Sequence, residues 1–197
     1  MNAARYPRDR IEPVLLETRF PESYRIMPGH YQATPLGTRP ADSRFCSRSA
    51  GYSVLYASPD FATAFIETVV RDRFMRRRDR YVALKEITER AWACISGRSR
   101  SALVLLDLRG DGCARIGAPT DAVHARNHSA GRALARAIHA EHADIEGLLY
   151  SSRLTGQDIY AVFDRGAGKL ASVDTGRLED HPELPEVLER HGIGLIV

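Results

Sequence analysis

The stretch Tyr52-Ser53-Val54-Leu55-Tyr56-Ala57-Ser58-Pro59-Asp60-Phe61-Ala62-Thr63-Ala64-Phe65-Ile66-Glu67-Thr68 reads as a strand that runs directly into a helix. Val, Leu and Tyr suit a half-buried pleated surface, which predicts a strand over Tyr52–Ala57. Ser58 suits the N-cap, Pro59 the first helical position, and Asp60 the positive end of the helix dipole. The helix is expected from Pro59 to about Phe74. It carries one carboxylate, Glu67, among Phe, Ala, Ile and Val. A carboxylate in such company either faces solvent or sits in a cleft for chemistry. Just upstream lies Arg44-Phe45-Cys46-Ser47-Arg48, and further upstream Ser23-Tyr24-Arg25-Ile26-Met27, a short strand ended by Pro28-Gly29. Arg25, Arg44, Tyr56 and Glu67 thus occupy a strand, a loop, a second strand and the helix after it.

Working outward, residues 1–22 hold three prolines and many charges and read as an N-terminal arm or loop before the first strand. Residues 23–197 read as a single domain. Residues 28–51 form a long irregular connection, a kind of loop that is usually functional when ordered. Tyr81–Leu84, Ala91–Ile95 and Ala102–Leu108 read as strands, and residues 109–120 as a connector. Ser129 to about His142 is an alanine-rich helix with Ala133, Leu134, Ala137 and Ile138 on its apolar stripe. Gly147–Ser151 is a strand. Ile159–Phe163 and Leu170–Val173 are expected to form a β-hairpin across Asp164–Gly168. A short helix over Pro182–Arg190 leads to the apolar tail Ile193–Val197. Strands outnumber helices without regular alternation, so the fold class is α+β, one compact domain of mixed sheets flanked by helices.

With 197 residues, 44% of them hydrophobic, the chain can bury the core of one domain. A net charge of +3 does not describe a nucleic-acid-binding tail. Arg71–Arg80 contains six arginines and two aspartates. With little aromatic interleaving it reads as a solvated helix end or a partner-facing surface, with no direct nucleic-acid contact. No apolar run approaches the roughly 20 residues of a membrane span, and the polar start Met1–Arg10 does not read as a secretory leader. Cys46, Cys94 and Cys113 are odd in number and lack CxxC spacing, so they read as free thiols of a cytoplasmic protein.

Phosphate-loop, dinucleotide-fingerprint, zinc-protease and serine-hydrolase signatures do not occur in the chain. His124 with His128, and His139 with His142, are spaced to share helix faces, but without a third ligand they read as surface histidines, with no metal expected. What remains suits an anionic, flat, sugar-bearing ligand. Arginines offer planar forks for diphosphate oxygens, and a strand-end tyrosine can stack on a ring or bond a hydroxyl. A carboxylate can bind ribose hydroxyls and stabilise an oxocarbenium-like transition state. Ser129 opens a helix, a position that favours anions.

Taken in order, Tyr24-Arg25-Ile26, Arg44-Phe45, Val54-Leu55-Tyr56-Ala57-Ser58, Ala64–Glu67, Gly147-Leu148-Leu149-Tyr150-Ser151-Ser152-Arg153 and Tyr160–Phe163 resemble the RES-domain family over about residues 23–165. That family supplies the toxin of bacterial toxin–antitoxin pairs. The resemblance implies a fold related to the ADP-ribosyltransferase toxins, with NAD as substrate. It also implies cleavage of the nicotinamide–ribose bond, with ADP-ribose passed to a protein, to phosphate or to water. Carried over, Arg25 matches the first-strand arginine, Arg44 the arginine of an Arg-Trp or Arg-Phe pair, Tyr56 the strand tyrosine and Glu67 the helix glutamate. The active-site serine that precedes an alanine-rich helix points to Ser129, with Ser152 the second candidate. Ser151 stands where the family often has proline, and Cys46-Ser47 where it often has Asn-Pro, departures that bear on the acceptor.

Glu67, Tyr56 and Arg25 are therefore the expected catalytic residues, and Arg25, Arg44, Tyr56, Ser129 and Ser152 the expected NAD-binding set. The leading expectation is an intracellular toxin that transfers ADP-ribose to a host protein. The alternative is an NAD phosphorylase or glycohydrolase, and a further one is a nucleotide-binding module without turnover. The resemblance also implies a cognate Xre-like helix-turn-helix antitoxin that blocks the active site.

Overall fold

The computed structural model describes residues 5–197. Ten strands are present among the described residues: β1 Leu15–Thr18, β2 Ser23–Pro28, β3 Val54–Ala57, β4 Tyr81–Ala83, β5 Arg90–Gly97, β6 Leu103–Asp107, β7 Gly147–Ser151, β8 Asp158–Phe163, β9 Leu170–Arg177 and β10 Gly194–Ile196. They form a five-stranded sheet in the order β1-β6-β7-β8-β3, a three-stranded sheet β2-β5-β9 and a parallel pair β10-β4. Within the large sheet only β6 and β7 run parallel. Helices flank these sheets, so the fold is α+β.

Alternation along the strands explains how the layers stack, since successive side chains leave a strand on opposite faces. Leu106, Leu148, Ala161 and Phe163 meet Leu134, Ala135 and Ile138 of the Ser129–Glu141 helix on one face of the large sheet. Leu105, Leu149 and Val162 point the other way and pack against Met27, Ala91, Ala93 and Ile95 of the small sheet. A third cluster joins Phe61, Phe65, Val69 and Val70 to Ile26, Val82, Leu178 and Val187. His181 is buried in this region. Its ring stacks on Phe61 at 3.5 Å with Trp92 and Tyr24 edge-on, and its Nδ1 accepts from the Glu183 backbone N–H. Burial holds its imidazole down at about 4, hence neutral.

Three expectations are corrected here. The hairpin over 159–173 does not form. β8 lies between β7 and β3 and has no free edge, so after the helical turn Asp164–Ala167 the chain crosses to the small sheet, where β9 pairs with β5. Residues 15–18, expected within a loop, pair as β1 with β6. The helix after β3 begins later and ends earlier than expected. Asp60 is its N-cap, accepting from the Thr63 N–H at 2.7 Å, while the Ser58 hydroxyl donates to the Asp158 carbonyl. Phe61–Phe65 is α-helical, Ile66–Val70 is a π-turn, and the chain breaks at Arg71 with φ of 49°. Such turns recur at functional sites.

The two large layers meet beside this turn. Tyr24 of β2 and Ser58, just past β3, form an antiparallel bridge, with N–H to O distances of 2.7 and 3.0 Å in the two directions. The bridge brings Arg25 of one sheet against Tyr56 of the other.

Candidate active site

A cleft of about 310 Å³ opens over this junction, and Arg25, Arg44, Tyr56 and Glu67 all line it. A second cleft of about 370 Å³ adjoins it and shares Arg25, Ile26, Ser43, Val54 and Tyr56. Both volumes fall within the roughly 300–1,000 Å³ of small-molecule sites.

Glu67 stands in the π-turn, whose flanking Ile66, Val69 and Val70 are buried in the core while Glu67 and Thr68 line the cleft. Its one side-chain hydrogen bond among the described residues comes from Ser152, whose Oγ lies 2.5 Å from Glu67 Oε1. Ser152 is buried, and its oxygen accepts the backbone N–H groups of Leu154 and Thr155 at 3.0 and 3.1 Å. Those two donors leave the hydroxyl proton directed at the carboxylate. The serine therefore fixes the carboxylate in the cleft without neutralising it.

Arg44 is positioned from several sides. Phe45 is fully buried in the core; its carbonyl accepts from Tyr52 Oη and its N–H donates to Tyr56 Oη. Ser43 Oγ is 2.9 Å from that same Tyr56 hydroxyl, and the Ser43 carbonyl accepts from Arg132. Gly131 lets the loop lie against the Ser129–Glu141 helix, since a Cβ there would come within 2.7 Å of the Arg44 carbonyl. The guanidinium itself spends Nη1 on the Ala125 carbonyl at 2.9 Å. Tyr56 thus presents its ring to the cleft, while its hydroxyl ties down the arginine loop. Burial raises that phenol to about 12.

Arg25 donates to the Pro35 and Gly37 carbonyls at 2.6 and 3.0 Å. Burial lowers it to about 10, so it stays charged at neutral pH. Among the described residues, Arg25, Arg44 and Arg71 form no ion pair with any carboxylate, although all three line the cleft. Arg153 differs: it is bound to Asp72 at 2.5 Å. Two carboxylates line the cleft, and Asp42 lies 3.4 Å from Arg48 and 3.8 Å from Arg132, so among the described residues Arg25, Arg44 and Arg71 form an anion site in which Glu67 is the carboxylate without a basic partner.

The sequence-based set is brought together with one exception. Ser152 joins the cleft through Glu67. Ser129 does not line the cleft; it is exposed, and its N–H is already taken by Asn127 Oδ1. The neighbouring His128, expected on the surface, lines the wall instead. It is kept below its ordinary value by burial and by the charges of Arg44, Arg71, Arg132 and Arg153. Arg71 and Tyr150 also line the cleft, and sequence reasoning missed both. Arg71 sits four residues beyond Glu67, a spacing that shares a helix face, but its place in an arginine-rich run masks the signal. The Tyr150 phenol is pushed well up by burial, then by Tyr56 and Glu67.

No cluster of three or more metal-type ligands occurs among the described residues, and no helix there is long and apolar enough to cross a membrane.

Comparison with known proteins places the chain in a family. The RES domain matches residues 22–184. A protein named "Probable toxin y4kH" from Sinorhizobium fredii is 34% identical over 105 residues, covering 53% of this chain and 83% of that one. A chain from the crystal structure of the M. tuberculosis MbcT-MbcA toxin–antitoxin complex superimposes with a TM-score of 0.67 over 86% of this chain and 90% of that one. At 18% identity that likeness is one of fold.

Proposed function

The chain belongs to the RES-domain family, and from that premise we propose that it is an NAD-degrading toxin that passes ADP-ribose to water or phosphate. The observation that carries this reading is the Glu67 carboxylate, held by Ser152 inside a ring of unpaired arginines. Arg25 and Arg44 bind the diphosphate. The C1′–N bond breaks with its electron pair going to the pyridinium nitrogen, so nicotinamide leaves neutral and positive charge develops on the ribose. Glu67 stabilises that charge where it appears. A water or phosphate oxygen then forms the new bond to C1′ and releases its proton to solvent.

Transfer to a host protein, the acceptor expected first, becomes the second reading. The cleft that holds Glu67 is also lined by the guanidinium groups of Arg44 and Arg71, which suit a small inorganic anion, with His128 beside them kept neutral by burial and by those charges. Toxicity is supported by the Sinorhizobium relative, itself named a probable toxin. An antitoxin partner is supported by the M. tuberculosis structure, which is that of a toxin–antitoxin complex. A cytoplasmic site of action follows from a substrate held inside cells.

The test is to incubate the purified chain with NAD, with and without inorganic phosphate, and follow nicotinamide and the ribosyl product. Nicotinamide release with free or phosphorylated ADP-ribose is the expected result. Label transferred to protein with no free product would favour the second reading, and no nicotinamide release would end both.

A further inference from the structure

The turn between β7 and β8, residues 152–157, is tied by its side chains to the segment that carries Glu67. Ser152 donates to Glu67, Arg153 Nη2 lies 2.5 and 2.6 Å from the two Asp72 oxygens, and Thr155 Oγ1 lies 2.8 Å from Thr63 Oγ1. Leu154, between these ties, packs into the core cluster that holds Phe61 and Phe65. Thr63 and Glu67 are four residues apart and share a helix face. Asp72 follows Glu67 by five, and the π-turn absorbs the extra residue: the Arg71 N–H bonds the Ile66 carbonyl at 2.6 Å, five positions back.

The direction of the Thr155–Thr63 bond follows from counting protons. Thr63 is fully buried, and its hydroxyl donates to Asp60 Oδ2 at 2.6 Å. A hydroxyl has one proton and a carboxylate only accepts, so Thr155 is the donor to Thr63. Thr155 also gives its backbone N–H to Ser152 Oγ at 3.1 Å. Both donors of this one residue therefore serve the surroundings of Glu67. The links close into a ring: Thr63 to Glu67 through one helical turn, Glu67 to Ser152, Ser152 to Thr155, and Thr155 back to Thr63. A single hydrogen bond would let the turn swing, whereas a ring fixes the separation of serine and carboxylate.

We infer that Thr155 is a positioning residue for Glu67, acting through Thr63 on one side and Ser152 on the other. It lines neither cleft nor the small recess beside them, so its effect on a ligand passes through the ring. Its consequence for turnover rests on the NAD reading above, while the ring itself belongs to the protein alone.

The experiment pairs Thr155→Val, which keeps the shape and the backbone N–H but loses the hydroxyl, with Thr155→Ser, which restores it. With NAD as substrate, kcat for nicotinamide release should fall about fivefold in Thr155→Val, the scale of one neutral hydrogen bond, with KM little changed. Thr155→Ser should recover most of the rate. Thr63→Val opens the ring from its other side, and the double valine variant should lose no more than the larger single loss, because the ring is already open. The carbon NMR signal of the Glu67 side-chain carboxylate, identified by its absence in Glu67→Gln, tests the ring without turnover. It should shift in Thr155→Val and return in Thr155→Ser, even if wild type releases no nicotinamide and the NAD reading falls. The assignment is overturned by an unmoved carboxylate signal in folded Thr155→Val, by full kcat in that variant when wild type turns over, or by losses that multiply in the double variant.

Discussion

Ser152 Oγ donates to Glu67 Oε1 at 2.5 Å, linking the end of β7 to the π-turn across 85 positions of sequence. Two backbone N–H groups at Leu154 and Thr155 hold the serine oxygen in place. The carboxylate that carries the proposed chemistry is therefore aimed by a hydroxyl whose own direction is set by the backbone.

Glu67→Gln keeps the shape and removes the charge. Nicotinamide release should fall by about 100-fold or more with NAD affinity little changed. Ser152→Ala should lower kcat less, by about tenfold, and cost about 1 kcal/mol of stability, because two part-buried N–H donors lose their acceptor. Single-turnover kinetics with a urea melt on each variant gives both figures. Full turnover by a folded Glu67→Gln would place the charge elsewhere.

Gly131 lies far from Glu67 in sequence but underlies Arg44. A methyl group there would approach the Ala122 and Arg44 carbonyls to 2.7 Å, and backbone cannot yield as a flexible side chain can. Gly131→Ala should destabilise the fold by about 1–3 kcal/mol by overpacking. It should also raise the NAD dissociation constant, as Arg44→Ala should, by displacing the arginine loop. Calorimetric titration alongside thermal unfolding measures the two effects together; NAD binding unchanged in Gly131→Ala would show that the loop tolerates the shift.

His181 predicts a pH dependence of stability. Its folded value, about 4, lies below the ordinary 6.5, so the unfolded chain binds the proton more readily. The contribution is complete above pH 6.5 and is lost as pH falls toward 4. His128, His139 and His191 are shifted in the same direction, so the informative quantity is a difference between proteins. His181→Phe should show a shallower loss of stability between pH 6.5 and 4.5 than wild type. Urea midpoints at three pH values in that window decide it, and parallel slopes would reject the assignment.

An antitoxin that silences this RES-domain protein should use charge as well as shape. Arg76, Arg77 and Arg78 are exposed, and the cleft beyond them is cationic. Changing the three to Glu should slow association with the cognate antitoxin and weaken its dependence on salt. Association rates at 50 and 300 mM salt provide the check, with nicotinamide release in the complex as the functional readout. Wild-type rates and salt dependence in the charge-reversed protein would move the contact elsewhere.

Much of the fold is legible in the sequence because its signals are local. Gly147–Ser151 alternates between two cores, and the apolar stripe of the alanine-rich helix faces one of them. Arg25, Arg44, Tyr56 and Glu67 can be grouped because a strand, a loop and a strand–helix junction follow each other in the chain. What fails depends on distant partners. β8 and β9 look like a hairpin until β3 is known to occupy the free edge of β8. Leu15–Thr18 becomes a strand only because β6 offers an edge to it. Ser129 and His128 are adjacent, and which of them faces the cleft is set by how the helix docks. The π-turn at Ile66–Val70 leaves the apolar pattern unchanged and so has no signature.

The bridge between Tyr24 and Ser58 is a seam closed by a pair of backbone hydrogen bonds, set in a small recess that shares Arg25, Tyr56 and Glu67 with the cleft. Whatever enters above it presses on a joint between two sheets. The amide protons of those two residues are therefore built-in gauges of occupancy. Their exchange with deuterated solvent would report whether the cleft is filled, by nucleotide or by an inhibitory protein, without a dye, a label or a turnover assay.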